Sequence, residues 1–237
     1  MKRTLLVMVL CACALSGRSV TAQTAQTTEP GIKLIQFHMA LLKRGPKWSS
    51  SPAKDAPLVR KQHVAYVQML LESGKAVIAG RIQDDGELVG VYIFRAPSAD
   101  DAESWALADP AVAAGHLVAE LHPWWSEDVM KKTTTPERMT TAYLAFLTRG
   151  AQWTPEQTPA TQELQKQHLA NIKRLAELKK LVVAGPFGDD GQLRGIFVFK
   201  VASLEEAKSL AATDPAVKAG RLALDIHPWL VPEGILP

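Results

Sequence analysis

The stretch AVIAGRIQDDGELVGVYIF, residues 76–94, holds two short apolar runs on either side of Asp84-Asp85-Gly86. Apolar, β-branched runs of this length flanking an Asp-Gly turn signal read as a strand, a tight turn and a returning strand. The chain writes the same hairpin again at residues 181–199, LVVAGPFGDDGQLRGIFVF, an offset of 105. That offset holds without a gap far outside the hairpin. It carries Trp48 to Trp153, His63 to His168, Asp109-Pro110 to Asp214-Pro215 and His122-Pro123-Trp124 to His227-Pro228-Trp229. About 35 of about 88 aligned positions are identical, so the molecule is one unit written twice.

Working outward from the hairpin, each copy has the same order of elements. The runs FHMALL and YLAFLT predict a first strand. A loop rich in Pro, Ser and Thr follows, containing Trp48 or Trp153, and leads into a helix. In that helix His63 shares the apolar stripe with Val67, Leu70 and Leu71, and His168 shares it with Ile172 and Leu175. After the hairpin, Ser98 with Asp101 and Ser203 with Glu206 predict capping-box starts for a second helix. That helix stops before Pro110 or Pro215, because a residue preceding proline avoids helical backbone. LVAELHPWW and LALDIHPWL close each copy as strands. The order β-α-β-β-α-β predicts a ferredoxin-like sheet with two helices on one face. Two such sheets in one chain cover their bare faces most economically by packing on each other, giving an α+β fold of two repeats joined as a pseudo-dimeric α/β barrel.

The ends and the composition bound the setting. Residues 1–22 have a basic start, an apolar run and small residues at Val20 and Ala22, the pattern of a cleavable secretory signal peptide, with the cut expected after Ala22 and the mature protein periplasmic or secreted. Residues 23–33 read as a polar lead-in, 34–125 as the first repeat, 126–140 as a linker and 141–237 as the second repeat. Cleavage removes both cysteines and three of the 27 Lys and Arg residues, leaving 24 basic against 24 acidic side chains. A neutral mature chain argues against nucleic acid and against membrane association after cleavage, and no disulfide or thiol chemistry is left to it. Nothing in it spells a cofactor-binding loop or a nucleophile elbow.

These features together resemble the YCII-related family of small dimeric α/β-barrel proteins. The residues that carry the resemblance are Gly45 and Trp48 (Gly150 and Trp153), the helix histidine, the Ala-Gly and Asp-x-Gly positions of the hairpin, Asp-Pro after the second helix, and the terminal Pro-Trp. The resemblance implies a ferredoxin-like fold. Because members usually pair as homodimers, the tandem chain looks like a fused pair, with room for further homo-oligomerisation. The family is similar to others that act on small cyclic or aromatic compounds, and a His–Asp pair is its suggested active site. Here that pair is His63 with Asp109 and His168 with Asp214. One departure stands out: the basic residue that usually precedes the terminal Pro-Trp is His122 or His227.

Each candidate has a structural reading beside the functional one. A helix histidine facing a sheet can be a core residue bonded to backbone, but a buried imidazole is costly unless partnered, and Lys-Gln-His persists in both copies while its neighbours drift. Asp109 and Asp214 are ideal helix N-caps ahead of proline, which alone accounts for them. In the catalytic reading the carboxylate orients the imidazole and strengthens it as a base. On the last strand, Glu120 with His122 and Asp225 with His227 share one face, either as an acid–base pair or as a rim salt bridge. Added to His63 and Asp109 they would complete two histidines and a carboxylate, a set suited to zinc or iron, but no local ligand spacing supports a metal. Trp48 and Trp153 either lid the core or stack on a planar ligand, and Arg44 and Arg149 either meet surface partners or hold a ligand's anionic end. Two functions follow: a cofactor-independent lyase or isomerase on a small planar or anionic molecule, or a non-catalytic module that binds a small ligand or a protein through the same cleft.

Overall fold

The computed structural model describes residues 33–48, 54–131 and 138–237; the expected signal peptide lies outside them. The first repeat runs β1 (Ile35–Arg44), α1 (Ala56–Glu72), β2 (Ala76–Ile82), β3 (Leu88–Phe94), α2 (Ala99–Leu107), α3 (Pro110–Ala113) and β4 (Leu117–Ser126). The second repeats it as β5 (Met139–Arg149), α4 (Pro159–Glu177), β6 (Leu181–Pro186), β7 (Leu193–Phe199), α5 (Leu204–Ala211), α6 (Pro215–Lys218) and β8 (Leu222–Pro232). The expected β-α-β-β-α-β order is present in both copies. Strands β4 and β5 reach a little into the stretch read as linker, because β1–β4 pairing continues through Ser126 and β5–β8 pairing begins at Met139.

The strands form one antiparallel sheet in the order β4-β1-β3-β2-β8-β5-β7-β6. Its two halves are the ferredoxin-like sheets, and they join at two equivalent seams. At one, Arg81 pairs with Leu230 and Ile82 with Trp229, and the Gln83 amide donates to the Pro228 carbonyl at 2.9 Å. At the other, Trp124 bridges to Phe187, and the Gly188 amide donates to the Pro123 carbonyl at 2.7 Å. The sheet therefore curls shut, and the two repeats hydrogen-bond at their edges as well as packing face to face.

Alternation along each strand sorts the side chains into layers. The inward residues, among them Phe37, Met39, Ile93, Trp124, Leu144, Val198 and Trp229, are buried in a single core shared by both repeats. The outward residues pack under each repeat's own helices, Ala40, Tyr92 and Phe94 under the first pair and Ala145, Phe197 and Phe199 under the second. The Ala-Gly positions of the hairpin are seam positions. A Cβ on Gly80 would lie 2.2 Å from the Trp229 indole nitrogen, and one on Gly185 would lie 1.8 Å from the Trp125 carbonyl oxygen.

Helix starts follow local chemistry. Ser98 and Ser203 accept the amides of Asp101 and Glu206 as expected. The reciprocal half of the box is not formed there: Glu206 takes the Ala202 amide, one residue early. The full reciprocal box is at α4, between Thr158 and Thr161. The second helix does end before proline, and a one-turn helix restarts at once, capped by Asp109 or Asp214.

Candidate functional site

In the first repeat, extended backbone at Asp109 (φ −61°, ψ 124°) and Pro110 at the first helical position open α3, and the Ala111 amide donates to Asp109 Oδ1 at 2.8 Å. The same carboxylate does a second job. His63 Nδ1, reaching across from α1, lies 2.9 Å from both of its oxygens, and the Tyr92 hydroxyl of β3 donates to Oδ2 at 2.5 Å. Capping and pairing therefore coexist in one fully buried side chain. Burial by itself raises the Asp109 carboxyl, but the hydrogen bond and charge of His63, with the Tyr92 and Ala111 bonds, outweigh it and hold the group below the usual carboxylate range. Burial, then the Asp109 charge, pushes the Tyr92 hydroxyl far up and the Tyr66 hydroxyl up; Tyr66 donates to the Trp105 carbonyl at 2.8 Å.

The second repeat builds the pair differently. His168 Nδ1 lies 2.7 Å from Asp214 Oδ2, and the Ala216 amide caps Oδ1 at 2.9 Å. Tyr92 has become Phe197, which stacks on the His168 ring at 5.9 Å and 22°. Tyr66 has become Asn171, whose amide reaches Asp214 at 3.5 Å and whose carbonyl accepts from Arg174 and Thr213. An ionised carboxylate only accepts hydrogen bonds, so in both repeats the network assigns the ring proton to Nδ1 and leaves Nε2 as the lone-pair nitrogen. Neither Nε2 has a partner among the described residues. His168 sits on the wall of a cavity of about 380 Å³. Gln165, Leu169, Ile172 and Ala176 of the same α4 face line it, with β6 and β7 opposite.

The aromatic and cationic residues divide unevenly. Trp48 is exposed, with the Arg44 guanidinium 5.3 Å from its ring. Trp153 lines the cavity under three guanidiniums, Arg149 at 5.4 Å, Arg194 at 4.8 Å and Arg221 at 4.6 Å. Arg44 and Arg149 are both anchored to the hairpin tip, donating to the carbonyls of Asp85 and Asp190 at 2.9 and 2.8 Å. The arginine on the cavity wall is Arg194. The sequence did not point to it because its counterpart is Val89; Arg221, standing opposite His116, likewise falls at a position the two copies do not share.

The second constellation does not join the first. Glu120 and His122 lie on the barrel-interior side of β4, whereas His63 and Asp109 lie on the helix side, so the sheet separates them. His122 instead crosses the seam: Nδ1 meets Asp189 of the second hairpin at 2.5 Å, and Nε2 meets Glu120 at 3.1 Å. His227 mirrors this with Asp84 at 2.6 Å and Asp225 at 3.1 Å. Glu120 also pairs with Lys43, whose hydrogen bond leads the effects that hold its carboxyl down. Among the described residues no three His, Cys, Asp or Glu side chains are placed to hold a metal. A smaller cavity, about 280 Å³, lies beside His122 and His38; burial lowers the His38 imidazole.

Two βαββαβ repeats closed into one eight-stranded barrel, helices outside, define a fused dimeric α/β-barrel protein. The chain belongs to the YCII-related family: the YCII-related domain matches residues 37–124 and again 145–230. The uncharacterized protein YjpA of Bacillus subtilis (strain 168) is 34% identical over 76 residues, which is 30% of this chain and 87% of that protein. Among solved structures, a mutant chlorite dismutase from Candidatus Nitrospira defluvii is similar with a TM-score of 0.54 and 14% identity, over 84% of this chain and 91% of that one. A heme-binding protein from Thermus thermophilus is similar with a TM-score of 0.50 and 14% identity, over 82% and 90%. These likenesses show the fold. The residues here do not fit a heme: His168 Nε2 is an available donor, but a cavity of about 380 Å³ lies at the small end of the ligand-pocket range, with room for one or two rings.

Proposed function

We propose that the His–Asp pairs are the acid–base groups of a cofactor-independent lyase or isomerase acting on a small planar or anionic molecule, in a protein exported after cleavage at Ala22. The observation that carries the reading is the buried aspartate in each repeat, which takes Nδ1 of its histidine and leaves Nε2 without a partner among the described residues, with His168 itself lining the cavity. A carboxylate behind an imidazole fixes its tautomer and stabilises the imidazolium that forms when Nε2 takes a proton. In the proposed step Nε2 removes a proton from a carbon next to a carbonyl. In an isomerase the electron pair of that C–H bond moves into the carbonyl as an enolate, and the imidazolium returns the proton to the far carbon of the enolate system. In a lyase the pair forms a C=C bond and expels the group on the neighbouring carbon, which takes the proton from the imidazolium as it leaves.

The test is hydrogen exchange. Small cyclic keto acids are incubated with the mature protein in D2O, and loss of their acidic C–H signals is followed by proton NMR. The reading expects exchange that is abolished in the His63→Gln/His168→Gln double variant. Wild-type protein that exchanges none of the panel, yet binds members of it, overturns the enzyme reading in favour of a binding module. Mass measurement of the mature chain checks the export reading, which fails if residues 1–22 are retained.

A further inference from the structure

We infer that the second repeat alone carries a binding site for a small aromatic or conjugated carboxylic acid, its carboxylate held by Arg194 and its ring lying along Trp153 and Phe197. The inference deepens the acid–base reading and rests on it only in placing the ligand's reactive edge toward His168 Nε2.

Charge is the first observation. Three guanidiniums surround Trp153, and Asp190 is the one carboxylate among the described residues that meets any of them, 2.7 Å from Arg149 and 3.6 Å from Arg194. Asp190 is almost fully exposed, so water screens it. Among the described residues Arg221 has no carboxylate partner at all, and its Nη1 is buried without an acceptor; Nε of Arg149 is likewise unpaired, as is Nε of its first-repeat counterpart Arg44, so the donor particular to the second repeat is that of Arg221. A buried donor left unpaired is costly, and a cluster of cations with donors to spare is completed by an anion. Glu127 is the one acidic side chain among the described residues of the cavity wall.

Shape is the second. Trp153, Phe197 and the aliphatic residues Leu169, Ile172 and Val183 make a largely apolar lining, with Arg194 the cation among the lining residues. A single cation in a largely apolar lining selects a molecule with one anionic group and a flat apolar body. The floor belongs partly to the other repeat, since Leu34 and Ser126 also line the cavity.

The first repeat is the internal control. Where the second has Arg194, Arg221 and Phe197, the first has Val89, His116 and Tyr92. Tyr92 donates to Asp109, and Trp48 stands out in solvent under a single arginine. The second and third arginines and the Phe197 face are absent there, so one ligand binds per chain.

The experiment is calorimetric titration of the mature full-length chain with benzoate and 2-naphthoate, with benzamide as the neutral isostere. Arg194→Val, which installs the first repeat's residue, and Arg194→Lys, which keeps the charge without the fork, are titrated alongside and checked for folding by circular dichroism. The expected result is one equivalent of acid per chain, with benzamide and Arg194→Val each weaker by roughly ten- to hundred-fold, the worth of a charged hydrogen-bonded contact. Arg194→Lys falls between, and the Trp153 indole proton, assigned with Trp153→Phe, shifts on binding. Two equivalents per chain, benzamide binding as well as benzoate, a folded Arg194→Val that binds like wild type, or no binding of either acid would each overturn the inference. Binding as described without any hydrogen exchange leaves this site standing and removes the acid–base reading; exchange indifferent to Arg194 does the reverse.

Discussion

Replacing Tyr92 with phenylalanine makes the first repeat resemble the second at this position, and the structure says what that costs. The hydroxyl donates at 2.5 Å to a carboxylate with no solvent exposure, one of three donors to Asp109 beside His63 and the Ala111 amide. A hydrogen bond to a charged group contributes about 1.5–3 kcal/mol, and Phe leaves no orphaned donor behind, so the expected loss lies in that range. For a chain of this size that lowers the melting midpoint by about 3–12 °C. The pH dependence gives a sharper check. The Asp109 carboxyl is held below its ordinary value of 3.8, so its contribution is fully present above that value and drains away as pH falls through the lower folded value. Losing the Tyr92 donor moves the folded value back toward the ordinary one. The stability gap between wild type and Tyr92→Phe is therefore full at neutral pH and narrows below about pH 4. Urea unfolding at pH 7 and at about pH 3 measures it. A gap under about 0.5 kcal/mol at pH 7, or one that stays the same in acid, would refute the reasoning.

Gly185→Ala places a Cβ against the Trp125 carbonyl oxygen, so one seam must open; a loss of about 3 kcal/mol or more is expected in urea unfolding, against near neutrality for Ala at an open surface position. A double-mutant cycle on His122→Ala and Asp189→Ala should return a coupling energy of about 0.5–3 kcal/mol across the seam, and strict additivity would mean the contact does not hold the halves together. Asp128→Ala, which removes a pair with Arg95 that is nearly half exposed on both sides, should change stability by less than about 1 kcal/mol.

Legibility followed distance along the chain. The hairpin and the β-α-β-β-α-β order were readable because strand periodicity and Asp-Gly turns are local signals, and because the second copy repeats them. Recurrence of Lys-Gln-His and Asp-Pro at one offset singled out the residues of the His–Asp pairs, and the resemblance to the YCII-related family implied their contact. Tyr92 was not. Strand alternation marks it as an outward core aromatic, its copy is Phe197, and its hydroxyl finds Asp109 only once β3 lies under α3. His122 was read with Glu120, two residues away on the same strand, and that contact exists. Its shorter contact is with Asp189, in the other repeat, and depends on a sheet closure that no local spacing encodes. Arg194 carries no duplication signal because it is a difference between the copies, standing opposite Val89.

Where the copies agree and where they differ separates the work of the barrel from the work of the site. Each seam needs its own glycine, tryptophan, histidine and hairpin aspartate, and all four come in matched pairs: Gly80 and Gly185, Trp124 and Trp229, His122 and His227, Asp84 and Asp189. The match is not perfect, since the Trp124 indole donates to the Gly185 carbonyl at 3.1 Å while that of Trp229 is buried without a partner among the described residues. On the helix side of the sheet, around the two His–Asp pairs, Tyr66 stands against Asn171, Val89 against Arg194, Tyr92 against Phe197 and His116 against Arg221. A homodimer makes every substitution at both sites together, so a change that loads one pocket is imposed on the other. Fusion removes that constraint. One copy can keep its aspartate tied down by Tyr92 while the other gathers arginines around Trp153, and the shared core, built inward from both sheets, is untouched by either change. The asymmetry therefore sits where a ligand would feel it and spares the seams that closure of the barrel requires.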